Sequence, residues 1–196
     1  MRTNLLLIGA GGHCRSVIDV IESSQQYHIV GILDVPEKVG QVVLGYDVIG
    51  TNQDMPTLIK QTPNVVITVG QIHSPAVRIK LYDLAKECGA AFPVILSPHA
   101  YVSRHASIDE GTVVMHHAMV NAGAVVGKNC ILNTRACLEH DSVIGDHCHL
   151  STGVIVNGGV TVGARTFIGS GSVTKEGITL PSDSFIKAQS LVRGPI

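Results

Sequence analysis

Residues 126–149 read VGKNCI LNTRAC LEHDSV IGDHCH: four six-residue units, each opened by an apolar residue with a small residue four places on. The step of six runs outward both ways. Apolar residues stand at Val102, Ile108, Val114, Val120, Val126, Leu132, Leu138, Ile144, Leu150, Val156, Val162 and Ile168. Small or β-branched residues follow at Ala106, Thr112, Ala118, Ala124, Cys130, Ala136, Ser142, Cys148, Val154, Val160, Thr166 and Ser172. Glycine comes directly after the apolar position at Gly127, Gly145, Gly163 and Gly169. Helices and ordinary strands repeat at about 3.6 and 2 residues, so neither carries this pattern. A solenoid with one short strand per face does. Three units then close a triangular coil, with the apolar position inside and the small residue near a corner. The pattern predicts a left-handed parallel β-helix. Its register weakens at Thr174 and recovers at Leu180 and Ile186. Lys175–Ile178 is therefore expected as a loop or distorted turn, and Gln189–Ile196 as a tail.

The first half of the chain follows another rule. Leu5–Ile8, His28–Leu33, Val65–Val69 and Phe92–Leu96 read as strands. Helical spacing follows Gly12-His13 and recurs at Pro56–Lys60 and Ala76–Cys88. In the last of these, Val77, Leu81, Leu84 and Ala85 form the expected buried face, with Arg78, Lys80, Asp83 and Lys86 elsewhere. Strands alternating with helices predict a small Rossmann-like parallel α/β sheet. The expected organisation is an α/β domain over residues 1–95, a β-helix over 96–188 and a tail over 189–196.

Composition narrows the function classes. Lys and Arg total 14 against 15 Asp and Glu, a formal net charge of -1. That excludes a general affinity for nucleic acid or anionic lipid, which needs a basic surplus. Aromatic residues are 4% and charged residues 15%, so the core is aliphatic, and neither a disordered chain nor a coiled coil fits. No apolar run reaches the roughly 18 residues of a membrane span. MRTNLLLIGAGGH runs into a glycine loop rather than a cleavage site, so the chain is read as cytosolic. Five cysteines without a CxxC pair read as free thiols. Cys130 and Cys148 lie at the same corner of successive coils, as small apolar filler.

His140 stands two residues after the core position Leu138, so it projects outward, between Glu139 and Asp141. A carboxylate on one imidazole nitrogen fixes the tautomer and raises the basicity of the other, as a general base requires. The competing reading of His140, His147 and His149 is a zinc site, but their spacing matches no standard ligand set. Gly9-Ala10-Gly11-Gly12-His13-Cys14 begins a GxGxxG turn and has Cys at the third glycine. Its open backbone suits a phosphate, and Asp34 lies about 20 residues on, where a ribose-binding acid belongs. The broken fingerprint and short α/β unit weigh against a nicotinamide oxidoreductase. A non-catalytic or metal-binding hexapeptide protein is the other class.

Together, the GAGGH turn, Asp34 and the run Asn133…Glu139-His140-Asp141…His149 resemble one family over the whole chain. It is the bacterial sugar acetyltransferases typified by the PglD and NeuD proteins. The resemblance implies acetyl-CoA as co-substrate and direct acetyl transfer, with His140 as general base and Asp141 raising its basicity. It implies cofactor contacts at His149, Asn133 and the backbone near Ser170 and Ala188. It implies a nucleotide-sugar pocket at Gly11, Gly12, His13, Asp34 and Gly70, and a homotrimer with sites between subunits. The acceptor it implies is a nucleotide-linked amino sugar, first a UDP-4-amino-4,6-dideoxyhexose, with O-acetylation of a sialic-acid-like sugar as the alternative. Asp141 stands where the PglD type usually has Glu, and Asp34-Val35 where it often has two acids.

Overall fold

The structure, a computed structural model, describes residues 2–194. The chain opens with β1 (Thr3–Ile8), α1 (Gly12–Ser24) and β2 (Tyr27–Leu33). It continues through β3 (Val42–Val43), β4 (Tyr46–Gly50), α2 (Met55–Gln61), β5 (Val65–Ile67) and α3 (Ala76–Glu87). The sheet order is β3-β4-β2-β1-β5, parallel except for β3 against β4. Side chains of a strand alternate between faces. Leu5 and Leu7 of β1 accordingly pack with Val17, Ile18 and Ile21 of α1, while Leu6 and Ile8 pack with Ile59 of α2 and Leu81 of α3.

The β-helix is built from two-residue strands, from β6 (Ile95–Leu96) to β22 (Leu191–Val192). They form three parallel sheets, the faces of a prism. Each strand pairs with the one 18 residues later, as Ile131 with His149 and Cys137 with Ile155. The core is the inward column predicted from the sequence: Val114, Val120, Val126, Leu132, Leu138, Ile144, Leu150 and their successors are buried. The small-residue column is buried at the corners, including Ala136, Cys148 and Val160. A Cβ on Gly127, Gly145, Gly163 or Gly169 would meet the backbone of the next coil within 2.3–2.8 Å, which is why glycine follows the apolar position there. Cys130 and Cys148 are buried free thiols that donate to the carbonyls of Gly145 and Gly163.

Several expectations change. Phe92–Leu96 is not a strand of the α/β sheet: Ile95–Leu96 pairs with Val113–Val114 and starts the prism. The hairpin β3–β4 was not foreseen, because its two-residue turn puts Leu44, at φ 50, beside Gly45 in place of the usual Asn-Gly. The buried face of α3 is Arg78, Leu81, Tyr82 and Ala85, and Val77 is exposed. The register does not break at Thr174, which is buried in the core column and pairs in a strand. Its hydroxyl accepts from the backbone N–H of Asn157 at 3.0 Å, so the polar group is satisfied. Residues 175–178 form a regular corner. The expected tail also begins too early: Leu191–Val192 pairs with Val173–Thr174 and continues the prism. Pro195 and Ile196 lie outside the described residues.

Candidate active site

A cleft of about 750 Å³ opens where the first turn of α1 and the ends of β2 and β5 meet the prism. It gathers Gly11, Gly12, His13, Asp34 and Gly70 with Asn133 and His149. The five residues expected at a nucleotide sugar thus share one wall system with two expected at acetyl-CoA. Helix α1 starts at Gly12 with no side-chain cap and no acid in its first turn. No atom lies within 4 Å of where a Cβ on Gly11 or Gly12 would stand, so this backbone is open to the cleft. Uncapped N–H groups and the helix dipole favour an anion there.

The Asp34 carboxylate shapes that turn. It accepts from the backbone N–H of Ala10, from Val35 N–H at 2.7 Å and from Lys38 Nζ at 3.0 Å. Burial pushes its pKa up, but these hydrogen bonds and the Lys38 charge outweigh burial and hold it below the usual carboxylate value. Two histidines face the opposite balance. Burial, then the nearby Arg78 charge and His149, lower His13 to about 3. Burial brings His149 down to about 4 against the hydrogen bond it makes to the Gln71 carbonyl. His149 Nδ1 contacts that carbonyl, and Nε2 lies 3.1 Å from Asn133 Nδ2. Both rings are therefore neutral at physiological pH, and both nitrogens of His149 are engaged within the chain.

Beneath the cleft, the Arg78 side chain is fully buried and donates to the carbonyls of Ile67, Val69 and Asn129. It ties the end of β5 to a prism corner, as Gln71 does by donating to the His147 carbonyl at 2.9 Å. Sequence reasoning missed both residues. An arginine on an amphipathic helix reads as a solvent-facing charge, and nothing local marks Gln71.

His140 and Asp141 lie elsewhere, at the corner between the second face (Cys137–Leu138) and the third (Val143–Ile144). One prism face, the strand Cys137–Leu138, runs between the Asn133 corner of the cleft and the His140 corner. His140 Nδ1 is 2.9 Å from Asp141 Oδ2, with side chains 66% and 72% exposed. Donation from Nδ1–H to the carboxylate leaves Nε2 with a free lone pair. Two glycines on adjacent coils make room for the pair. A Cβ on Gly158 would stand 2.5 Å from His140 Nε2, and one on Gly123 would stand 2.3 Å from Asp141 Oδ1. Gly158 follows His140 by 18 residues and Gly123 precedes Asp141 by 18, so reading the sequence coil by coil would have found both. An open notch of about 620 Å³ surrounds Nε2, lined by Glu139, His140, Asn157, Gly158, Glu176 and Gly177.

Ser170 and Ala188 lie in neither place. They continue, at steps of 18, a column that begins at Thr134 and Thr152 in the cleft wall. Both are exposed on the prism edge, where Ser170 Oγ lies 2.9 Å from Ser151 Oγ. Among the described residues, no group of three His, Cys, Asp or Glu converges as a metal site would require. No helix among them is long and apolar enough to cross a membrane.

Residues 4–84 match the PglD N-terminal domain, and residues 141–176 match the bacterial transferase hexapeptide (six repeats). PerB from Caulobacter crescentus, solved with CoA and GDP-perosamine, is 29% identical with a TM-score of 0.91, covering 98% of this chain and 90% of that one. In both halves the chain is similar to the hexapeptide-repeat sugar acetyltransferases. The acetyltransferase domain of PglB from Neisseria gonorrhoeae, in complex with acetyl coenzyme A, matches this chain at 28% identity and TM-score 0.91, covering 100% and 93%. WeeI from Acinetobacter baumannii, at 19% identity and TM-score 0.66 over 96% of both chains, shares the fold. A search of curated proteins finds no match.

Proposed function

We propose that this protein transfers the acetyl group of acetyl-CoA to the amine of a nucleotide-linked sugar. The observation that carries the reading is the pairing of an open, uncapped helix N-terminus in the cleft with a His140–Asp141 pair on the prism. The likeness to PerB, solved with CoA and GDP-perosamine, and to the PglB domain, solved with acetyl coenzyme A, supports it. The nucleotide's phosphates sit at Gly11 and Gly12, and Asp34 and His13 flank them. The column from Thr134 through Ser170 to Ala188 is the track for acetyl-CoA, with Asn133 and His149 at its foot.

In the reaction, the amine attacks the thioester carbonyl, His140 Nε2 takes one proton, and Asp141 holds the resulting imidazolium. The carbon–sulfur bond breaks and the thiolate leaves with the proton from His140. No acyl-enzyme is required.

The proposed assembly is a homotrimer in which the cleft of one protomer faces the His140 notch of its neighbour. The first prism face carries the α/β unit, while the second and third, which flank His140, expose Tyr101, Val125, Val143, Ile155 and Leu191. A neighbour covering those faces would exclude water from the notch, as a reacting amine and thioester require.

The test is acetyl transfer from acetyl-CoA to a panel of UDP-, GDP- and dTDP-linked amino sugars and free and CMP-linked sialic acids, read by mass spectrometry. Acetyl on one nucleotide-linked amino sugar is the expected product. Transfer only to a sialic acid would replace the acceptor, and no acetyl-CoA binding would overturn the reading.

A further inference from the structure

Resting on the acetyltransferase reading, we propose that Glu139 is the second hydrogen-bond acceptor for the incoming nucleophile and makes the enzyme select an amine over a hydroxyl. Glu139 lines the same notch as His140, one residue before it. Its carboxylate is held in place from two sides. Asn121, one coil earlier, donates from Nδ2 to Oε2 at 2.9 Å, and the Cys137 thiol donates to Oε1 at 3.6 Å. Asn121 is itself fixed, since its Oδ1 accepts from the backbone N–H of Ala122 at 2.8 Å. Burial and then the Glu139 charge push the Cys137 thiol up to about 11, so it remains a proton donor at neutral pH. Each oxygen of an ionised carboxylate has lone pairs for more than one donor, so Glu139 keeps acceptor capacity toward the notch.

The chemistry then separates the two acceptor classes. As an amine nitrogen forms its bond to the thioester carbon, the carbonyl π pair moves to oxygen and the nitrogen becomes positively charged while bearing two hydrogens. One proton goes to His140 Nε2. The other N–H stays on the product amide and donates to Glu139 during the attack. When the carbonyl reforms, the carbon–sulfur pair leaves on sulfur and takes the proton from His140. A hydroxyl has only one hydrogen, which His140 must remove. Its oxygen would then face the Glu139 carboxylate with lone pairs alone. His140 serves both nucleophiles, whereas Glu139 favours the one with a hydrogen to spare. A site built to receive an N–H rejects the analogue that lacks it more strongly than a shape-only pocket can.

The experiment compares kcat/KM for the preferred nucleotide-linked amino sugar and for its analogue carrying hydroxyl in place of amine. It uses the full-length wild type and the variants Glu139→Leu, Glu139→Gln and Asn121→Ala. Glu139→Leu should lower the amine value by about 10- to 100-fold, the worth of one charge-assisted hydrogen bond, and leave the hydroxyl value unchanged or raised. Glu139→Gln, which keeps one acceptor oxygen, should fall between. Asn121→Ala should move the ratio in the same direction by less, as expected of a positioning residue. Equal losses for both acceptors in Glu139→Leu would mark a structural role and overturn the proposal, as would no change in either. A wild type that acetylates the hydroxyl as well as the amine overturns the proposal and leaves the acetyltransferase standing. A wild type that acetylates neither overturns both.

Discussion

The cleft and the notch are opposite kinds of site in one chain. The cleft is walled by two structural units, and burial forces its histidines neutral, His13 to about 3 and His149 to about 4. The notch is a shallow opening on a prism corner, with the His140 side chain 66% exposed. The cleft has the enclosure that binding needs, but burial makes its imidazoles poor bases. The notch has an exposed imidazole–carboxylate pair, the proposed base, and no enclosure. The difference teaches why the proposed assembly joins them: a cleft that is already walled in one protomer can bring its ligand to an exposed pair that a neighbour covers.

The largest expected effect breaks the notch alone. His140→Ala should lower kcat by about 10²–10⁴-fold, the usual worth of a general base, with an unchanged thermal midpoint because the side chain is exposed. Steady-state kinetics beside a melting curve check both parts. Next is Gly158→Ala, whose new methyl would stand 2.5 Å from Nε2 and push the ring aside. A displacement near 1 Å should cost kcat about 10²-fold while nucleotide-sugar affinity stays constant, which calorimetry can confirm.

The cleft should break through stability instead. Arg78→Met strands the carbonyls of Ile67, Val69 and Asn129. Urea unfolding should show a loss of about 2–3 kcal/mol. The histidines give the cleft a pH signature. Both have folded values depressed below the ordinary 6.5, so the unfolded chain binds more protons below that pH. Stability from their neutral state is full above 6.5 and is lost as pH falls toward 4. Each histidine should add a slope of up to about 1.4 kcal/mol per pH unit in that window. His149→Gln should flatten the slope, and an unflattened slope would show that burial does not govern this ring. The smallest effect is Thr174→Val, which removes the acceptor for Asn157 N–H at the floor of the notch. About 1 kcal/mol of stability should be lost.

The prism was legible because every sixth residue must fill its interior, and a strict step leaves no competing structure. Thr174 broke the pattern on polarity yet kept the register, since its hydroxyl finds a backbone donor. One regularity of the fold escaped notice. Every sixth residue from Gly111 to Gln189 takes a left-handed conformation, Asp141 at φ 59 among them. Glycine, asparagine, aspartate, histidine, arginine and glutamine share that position, so no single residue type marks it. The face of helix α3 was read correctly at Leu81 and Ala85 and missed at its start, because Arg78 and Val77 reverse the usual roles of charge and hydrocarbon. The ends of β2 and β5 were placed well enough to put Asp34 and Gly70 on the cleft. Gln71 and Arg78, which fasten the α/β unit to the prism, depend on contacts between distant segments that no local pattern reports.

Subunit mixing tests most directly that cleft and notch are two halves of one site joined between protomers. His140→Ala removes the notch base. Gly12→Glu places an acid in the cleft, at a position with no neighbouring atom to disturb folding. Each variant alone should be inactive. Unfolded together in equal amounts and reassembled as trimers, they should regain about one quarter of wild-type acetyl transfer, the share of sites with both halves intact. A mixture that stays as inactive as its components, while reassembled wild type recovers, would contradict a shared site and place both halves within a single chain.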